Sequence, residues 1–351
     1  MKKIILTGGG TAGHVNPNIA LLPYLKENNY TSVYIGSYNG IEKDLIEKNT
    51  DLKYYAISSG KLRRYFDIKN FTDPFRIIKG LFQSISILKK EKPDIIFSKG
   101  GFVTVPVVIA GYLCKIPIVI HESDYSIGLA NKIATKFSNV VCTSFKETAN
   151  SSSKGIFTGP PLRDDILTGN KENGYKITKF NKNLPIILII GGSLGAGAIN
   201  EFIFKNIDIL AKKYQIIHIC GKGNKKDISN ENYFSIEYAN EELKDLFAIS
   251  DIVISRAGSN AVFELLALKI PHILIPLPLS ASRGDQILNA NSHKKQGFCE
   301  VINEEDLSIE LLINTLNKLE SNKEYYINNM STSNLQESNK KIIEIIKKHT
   351  K

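Results

Sequence analysis

Short runs of β-branched and aliphatic residues alternate, through most of the 351-residue chain, with stretches whose apolar positions recur every three to four residues. The runs fit strands buried on both faces, and the helical spacing fits amphipathic helices laid against them. In the first half, strands are expected near 3–7, 32–36, 53–58, 94–98, 117–121 and 139–143. In the second half they are expected near 186–190, 215–219, 233–238, 252–254 and 272–275. Strands alternating with helices predict a parallel α/β architecture.

The pattern starts twice. "IILTGGGTAGHVNPNIA" runs from strand through a glycine loop into a helix bearing Ile19, Leu21, Leu22 and Leu25, and "LPIILIIGGSLGAGAINEFIF" repeats the order. Between them, "ANSSSKGIFTGPPLRDD" is polar and carries Pro160 and Pro161, which marks it as the hinge. Two doubly wound, Rossmann-like domains are therefore expected, 1–160 and 161–322, facing each other across a cleft. The stretch 323–351 is polar and helical with a basic end, and is expected to return towards the first domain.

Composition narrows the class. With 42% hydrophobic and 23% charged residues the chain is globular, and its length suits two domains. The net charge of +10 is unevenly placed: residues 1–160 hold 21 Lys and Arg against 12 Asp and Glu, and 53–92 alone hold 10 against 3. Such a concentration suits an anionic partner, either nucleic acid or a phospholipid surface. Cys114, Cys142, Cys220 and Cys299 stand apart in apolar segments and fit buried thiols in a reducing compartment. No signal peptide is legible, and the uncharged run from Gly100 to Cys114 is shorter than the roughly 20 residues of a membrane span. A cytoplasmic protein that does not cross a bilayer is expected.

Candidate chemistry gathers at the glycine loops. Gly8, Gly10 and Gly13 fit the G-x-G-x-x-G of a dinucleotide site, but the second strand ends in Gly36 and Ser37, where that site needs an acid for the ribose. His14 directly follows the third glycine, which suggests a different ligand. Gly191, Gly192, Ser193 and Gly195 offer backbone N–H groups and a hydroxyl to a pyrophosphate; a tight structural turn would use the glycines equally. In "SRAGSNAVFELLALKIPHILIPLP", Ser259 and Asn260 can cap a helix on which Glu264 is placed to accept two ribose hydroxyls. Gln286 and Asn289 follow the next strand, and Gly100, Gly101, His121, Glu122 and Asp124 occupy the corresponding loops of the first domain. The six histidines form no helical i, i+4 pair, so no metal site is expected.

The stretches "TGGGTAGHVNPN", "SKGGFVTVP", "HESDYSIGLANK", "GPPLR", "GGSLGAGAIN", "SRAGSNAVFE" and "GDQILNAN" occur in one order over most of the chain. Together they resemble the family of UDP-N-acetylglucosamine:lipid I N-acetylglucosaminyltransferases of peptidoglycan synthesis. The resemblance implies a GT-B fold, with the acceptor held mainly by the N-terminal domain and the UDP-sugar by the C-terminal one. It implies an inverting transfer that needs no metal or other cofactor, in which the acceptor's N-acetylmuramoyl 4-hydroxyl attacks the anomeric carbon and expels UDP. Carried over residue by residue, it implies donor contacts at Thr11, Ala12, Gly13, Arg163, Ser193, Ala239, Ser259, Asn260, Glu264 and Gln286. Acceptor contacts fall at Gly10, Gly100, Gly101, Asp124 and Asn131. His14 is the implied candidate base and Glu122 a weaker one. Asp124 and Ala261 depart from the Asn and Thr many relatives carry.

Work on lipid I implies docking at the cytoplasmic face of the bacterial membrane, as a peripheral protein with anionic inner-leaflet phospholipid and lipid I as partners. Other membrane enzymes of cell-wall synthesis are further candidate partners. The segment "GKLRRYFDIKNFTDPFRIIKGLFQSISILKK" has Phe75, Ile78, Phe82 and Ile85 on one helical stripe and Ile77, Leu81 and Leu88 on another. That is more apolar surface than one core contact needs, and Arg63, Arg64, Arg76 and Lys79 stand ready for lipid phosphates. Burial of both stripes is the plain alternative. A nicotinamide oxidoreductase is weakened by the missing ribose acid, and a nucleic-acid partner, resting on charge without an aromatic-interleaved motif, is not expected.

Overall fold

A computed structural model describes residues 1–60, 69–191 and 196–351, with the backbone alone for 69–72. Arg63 and Arg64, and Gly192, Ser193 and Gly195, lie outside the described residues. The chain divides into two compact units, Met1–Leu162 with Leu335–Lys351, and Arg163–Asn334.

Among the described residues of the first unit, seven parallel strands form one sheet: β1 (Lys2–Thr7), β2 (Tyr30–Ser37), β3 (Lys53–Ile57), β4 (Ile95–Ser98), β5 (Ile118–Glu122), β6 (Val140–Thr143) and β7 (Gly155–Phe157). Their order is β3-β2-β1-β4-β5-β6-β7. Side chains alternate across the sheet, so Ile4 and Leu6 enter one buried cluster with Tyr34, Phe97 and Val119. Ile5 enters the other with Ile35, Ile96 and Ile120. Burial on both faces is why the strands are apolar throughout, each such side chain contributing about 1.5–3 kcal/mol.

The second unit repeats the design with β8 (Ile186–Ile190), β9 (Gln215–Ile219), β10 (Tyr233–Ile236), β11 (Ile252–Ser255), β12 (His272–Leu274) and β13 (Glu300–Val301), in the order β10-β9-β8-β11-β12-β13. In both sheets the strand order reverses beside the strand that leads into a glycine loop, between β1 and β4 and between β8 and β11. Doubly wound sheets bind ligands beyond the strand ends at that point.

The set of strands and the reach of the tail need correction. The edge strands β7 and β13 were not expected, because two or three residues carry no measurable periodicity. β7 lies inside the stretch expected as a hinge, and the units part within that stretch, between Leu162 and Arg163, two residues after the expected boundary. The tail does not return from residue 323. The helix Lys323–Ser331 stays with the second unit, where the Tyr326 hydroxyl donates to Glu300 (2.6 Å) and Asn329 donates to the Gly297 carbonyl (3.2 Å). Only Leu335–Lys351 joins the first unit, burying Ile342, Ile343 and Ile346 in its core. Asn339 and the Leu162 backbone exchange two hydrogen bonds, at 3.0 and 2.8 Å, which fixes the end of this return.

Candidate active site

At the β1–β4 switch of the first unit two glycine loops touch. The Gly9 N–H donates to the Gly100 carbonyl at 3.3 Å, and any Cβ on Gly101 would run into the Gly9 carbonyl oxygen. Gly10, Gly100 and Gly101 have φ of 85°, 98° and 89°, a region that glycine enters without strain. Thr11 then starts the helix Ala12–Ala20 in the N-cap position, but its hydroxyl makes no cap bond. It lies 3.1 Å from His14 Nδ1 instead. Forgoing a side-chain cap costs about 1 kcal/mol, so the threonine serves the imidazole at the expense of its helix. Ala12, Gly13 and His14 are half-buried along this turn.

Glu122, at the end of β5, is 5% exposed. Its carboxylate accepts from the Asp124 and Gly128 N–H groups (3.1 and 3.0 Å) and from Asn131 Nδ2 (2.9 Å). With its lone pairs committed to its own loop, this carboxylate positions the 123–128 segment and is poorly placed as a base. Asn131 also donates to the His121 carbonyl (3.2 Å) and packs against Gly100, whose Cβ would lie 3.0 Å from its amide. His121 is fully buried with Nε2 3.0 Å from the Gly159 carbonyl, and burial together with Lys99 holds it well below the usual imidazole range. It is a neutral core histidine. Lys99 itself is buried beneath the second glycine loop, bonded to the Ser123 hydroxyl, and burial pulls its ammonium down to about 8 against the charges of Glu122 and Asp124.

In the second unit, Arg163 and Glu264 come together, Nε to Oε1 at 3.8 Å, with the Glu264 side chain 21% exposed. Burial raises the Glu264 carboxyl above its ordinary value, opposed by the Arg163 charge and reinforced by Asp165. The helix carrying it, Ser259–Leu268, is capped by Gly258 rather than by Ser259 or Asn260, which are its first two residues. A Cβ on Gly258 would meet nothing within 4 Å, so the space beside the start of this helix is open. The helix Gly197–Leu210 also starts without a side-chain cap. Two uncapped N-termini at one switch point suit an anion.

Gln286, in the first turn of the helix Asp285–Lys295, gives its carbonyl oxygen to the Leu277 N–H at 3.1 Å, which turns the amide into a fixed donor. Asn289 is fully buried and donates to the Ala257 carbonyl, holding the turn before Gly258. Arg256, directly after β11, clamps the loop after β12: its guanidinium donates to the Ile275 and Pro276 carbonyls and pairs with Glu304. Ala239 belongs to the loop after β10, an edge strand two places from β8.

On the helix Lys69–Glu91, Phe75, Ile78 and Phe82 are 75%, 50% and 67% exposed, and Lys79 is exposed beside them. Ile85, expected on the same stripe, instead packs into the core with Leu81. Among the described residues no cluster of His, Cys, Asp and Glu could hold a metal ion, and no helix is long and apolar enough to cross a membrane.

Residues 4–143 match the glycosyltransferase family 28 N-terminal domain and residues 186–346 match the family's C-terminal domain. The UDP-N-acetylglucosamine–N-acetylmuramyl-(pentapeptide) pyrophosphoryl-undecaprenol N-acetylglucosamine transferase of Clostridium botulinum (strain Langeland) is 56% identical over 355 residues, covering 100% of both chains. The enzyme of the same name from Clostridium tetani is 54% identical over 352 residues, covering 99% of this chain and 98% of that one. Among solved structures, MurG of Acinetobacter baumannii shares the fold with a TM-score of 0.76 at 24% identity, covering 99% of this chain and 100% of that chain. With both domains matched in order and such relatives aligned from end to end, the chain belongs to glycosyltransferase family 28.

Proposed function

We propose that this chain transfers N-acetylglucosamine from UDP-N-acetylglucosamine to the 4-hydroxyl of the N-acetylmuramoyl residue of undecaprenyl-linked lipid I, giving lipid II for peptidoglycan synthesis. The observation that carries this reading is the 56% identity over the whole length of a transferase of that name. The acceptor oxygen attacks the anomeric carbon from the face opposite UDP, the bond to the β-phosphate oxygen breaks, and configuration inverts. The hydroxyl proton passes to the base, for which His14 is the candidate, and the bond's electron pair leaves on UDP. Glu264 accepts from the ribose hydroxyls beside Arg163, the open N-terminus of Ser259–Leu268 and the Ser193 loop take the pyrophosphate, and the Gln286 amide donates to the sugar. Thr11, Ala12 and Gly13 complete the donor contacts, while Gly10, Gly100, Gly101, Asp124 and Asn131 hold the acceptor. Dipoles fixed before the reaction suit a leaving diphosphate, whose charge grows as the bond breaks. No metal is invoked for that task.

The oxidoreductase alternative loses ground on the geometry of Glu42. This acid lies near the end of β2 but is 1% exposed and turned inward, out of reach of a ribose. The deciding experiment is UDP release from UDP-N-acetylglucosamine with and without a lipid I analogue. Release that depends on the acceptor is expected; release indifferent to it would remove the acceptor assignment.

An acceptor held in a bilayer requires docking on the cytoplasmic face, and the exposed Phe75, Ile78 and Phe82 with Lys79 support that surface as the docking face. Arg63 and Arg64 extend the proposal. Each basic residue near an anionic surface contributes about 1 kcal/mol. Changing Arg63, Arg64 and Lys79 to Glu is expected to abolish sedimentation with anionic vesicles and to spare turnover of a water-soluble acceptor. Parental vesicle binding by this triple variant at physiological salt would move the docking face elsewhere.

A further inference from the structure

A dinucleotide fold places an acid at the end of its second strand, where this chain has Ser37. Glu42, in the first turn of the helix Ile41–Asn49, folds back to that place from the inside. Its Oε1 accepts from the Ser37 N–H (3.0 Å) and hydroxyl (2.5 Å), and its Oε2 accepts from the Gly10 N–H (3.1 Å). Glycines crowd around it: a Cβ on Gly9 would lie 2.6 Å from the Glu42 carboxyl carbon, one on Gly36 would lie 2.8 Å from its Cγ, and one on Gly40 would run into the carboxylate. A buried carboxylate is costly, and here charge-assisted bonds and a helix N-terminus offset the cost. An apolar plug of the same size would leave the Gly10 and Ser37 N–H groups unpaired.

The outer side of Gly10 is open, since a Cβ there would meet nothing within 4 Å, and the residue sits at φ 85°. The Glu42 bond therefore ties this glycine to the body of the first unit from below. The next residue is Thr11, whose hydroxyl meets His14 Nδ1. We infer that Glu42 is a positioning residue for the transfer: by holding the Gly10 N–H it fixes the Gly9–Gly10 peptide and so the course of the loop into Thr11, and through Thr11 the orientation of the His14 ring. The kinetic half of this inference rests on the proposed role of His14; the structural half does not.

Glu42→Gln replaces one carboxylate oxygen by an NH₂ group, which must face either the Ser37 donors or the Gly10 N–H, so a donor meets a donor. In the full-length protein, this variant is expected to shift the ring-nitrogen NMR signals of His14 and its titration midpoint. It is also expected to lower kcat by about tenfold or more, and to have little effect on rate once His14 is already alanine. Glu42→Asp keeps the charge but is one methylene too short to span Ser37 and Gly10, and is expected to fall between parent and Gln; it carries the test if the Gln variant does not fold. Unchanged His14 ring signals overturn the inference whatever the rates do, and so does an equal rate loss in the His14→Ala background. A His14→Ala variant with parental kcat would instead remove the proposed role of His14, and the ring signals alone would then decide Glu42.

Discussion

Replacing His14 by alanine is expected to lower kcat by about 10²–10⁴-fold, the usual contribution of general-base assistance, while the KM for UDP-N-acetylglucosamine stays near that of the parent. The expectation comes from how the ring is held. Nδ1 faces the Thr11 hydroxyl at 3.1 Å, and that hydroxyl has given up its helix cap to be there. For Nε2 to take the acceptor's proton, Nδ1 must carry the ring hydrogen, and the Thr11 hydroxyl is placed to accept it there. Steady-state kinetics at saturating donor and acceptor give the answer. A variant that keeps most of its kcat would exclude His14 as the base and return attention to water or to the acceptor's own groups.

Glu264→Ala is expected to weaken donor binding by about 1.5–3 kcal/mol, the range for a hydrogen bond to a charged group, and so to raise the donor KM by one to two powers of ten. The loss has two sources: the ribose hydroxyls lose their acceptor, and Arg163, 3.8 Å away, keeps its charge without a counterpart. Acidity separates them. Burial raises the Glu264 carboxyl above the ordinary carboxylate value, and the charged form is the one that accepts from both hydroxyls. Donor affinity should therefore fall as pH drops through this raised value, at a higher pH than an exposed glutamate would set. Glu264→Gln should show weaker binding with that acid-side dependence removed. Donor KM values measured against pH for parent, Ala and Gln variants test this, and an unchanged KM in the Ala variant would take Glu264 out of the donor site.

The exposed stripe on Lys69–Glu91 shows how a sequence pattern can be right in kind and wrong in extent. Phe75, Ile78 and Phe82 face outward, whereas Ile85, one turn further along the same helical spacing, leans into the core with Leu81. Gly80 lets the helix close on the end of β3, since a Cβ there would run into the Ser58 carbonyl oxygen. The exposed apolar stripe thus runs from Phe75 to Phe82 and stops short of Ile85.

Much of the fold was legible because its signals are local. Strands buried on both faces are short apolar runs, glycine loops mark their carboxyl ends, and the return of that pair at Ile186 announced a second doubly wound unit. His14, Glu264 and Gln286 could be picked out for the same reason, since each lies in the first helix after a strand end. What tertiary structure alone decided depends on residues that the chain brings together from afar, or on elements too short to have a period. β7 and β13 exist because a neighbouring edge pairs with them, and the tail divides at Leu335 because Ile342, Ile343 and Ile346 are buried in the first unit while Tyr326 bonds Glu300 in the second. Arg163 meets Glu264 only once its unit has folded. Glu42 is the plainest case: by spacing it is an ordinary acid in the first turn of a helix, and only the packing of Gly9, Gly36 and Gly40 turns its carboxylate inward to the Gly10 N–H. Periodicity reports which face of an element is apolar, but the partner of a buried polar group is set by three-dimensional packing, and no local pattern encodes it.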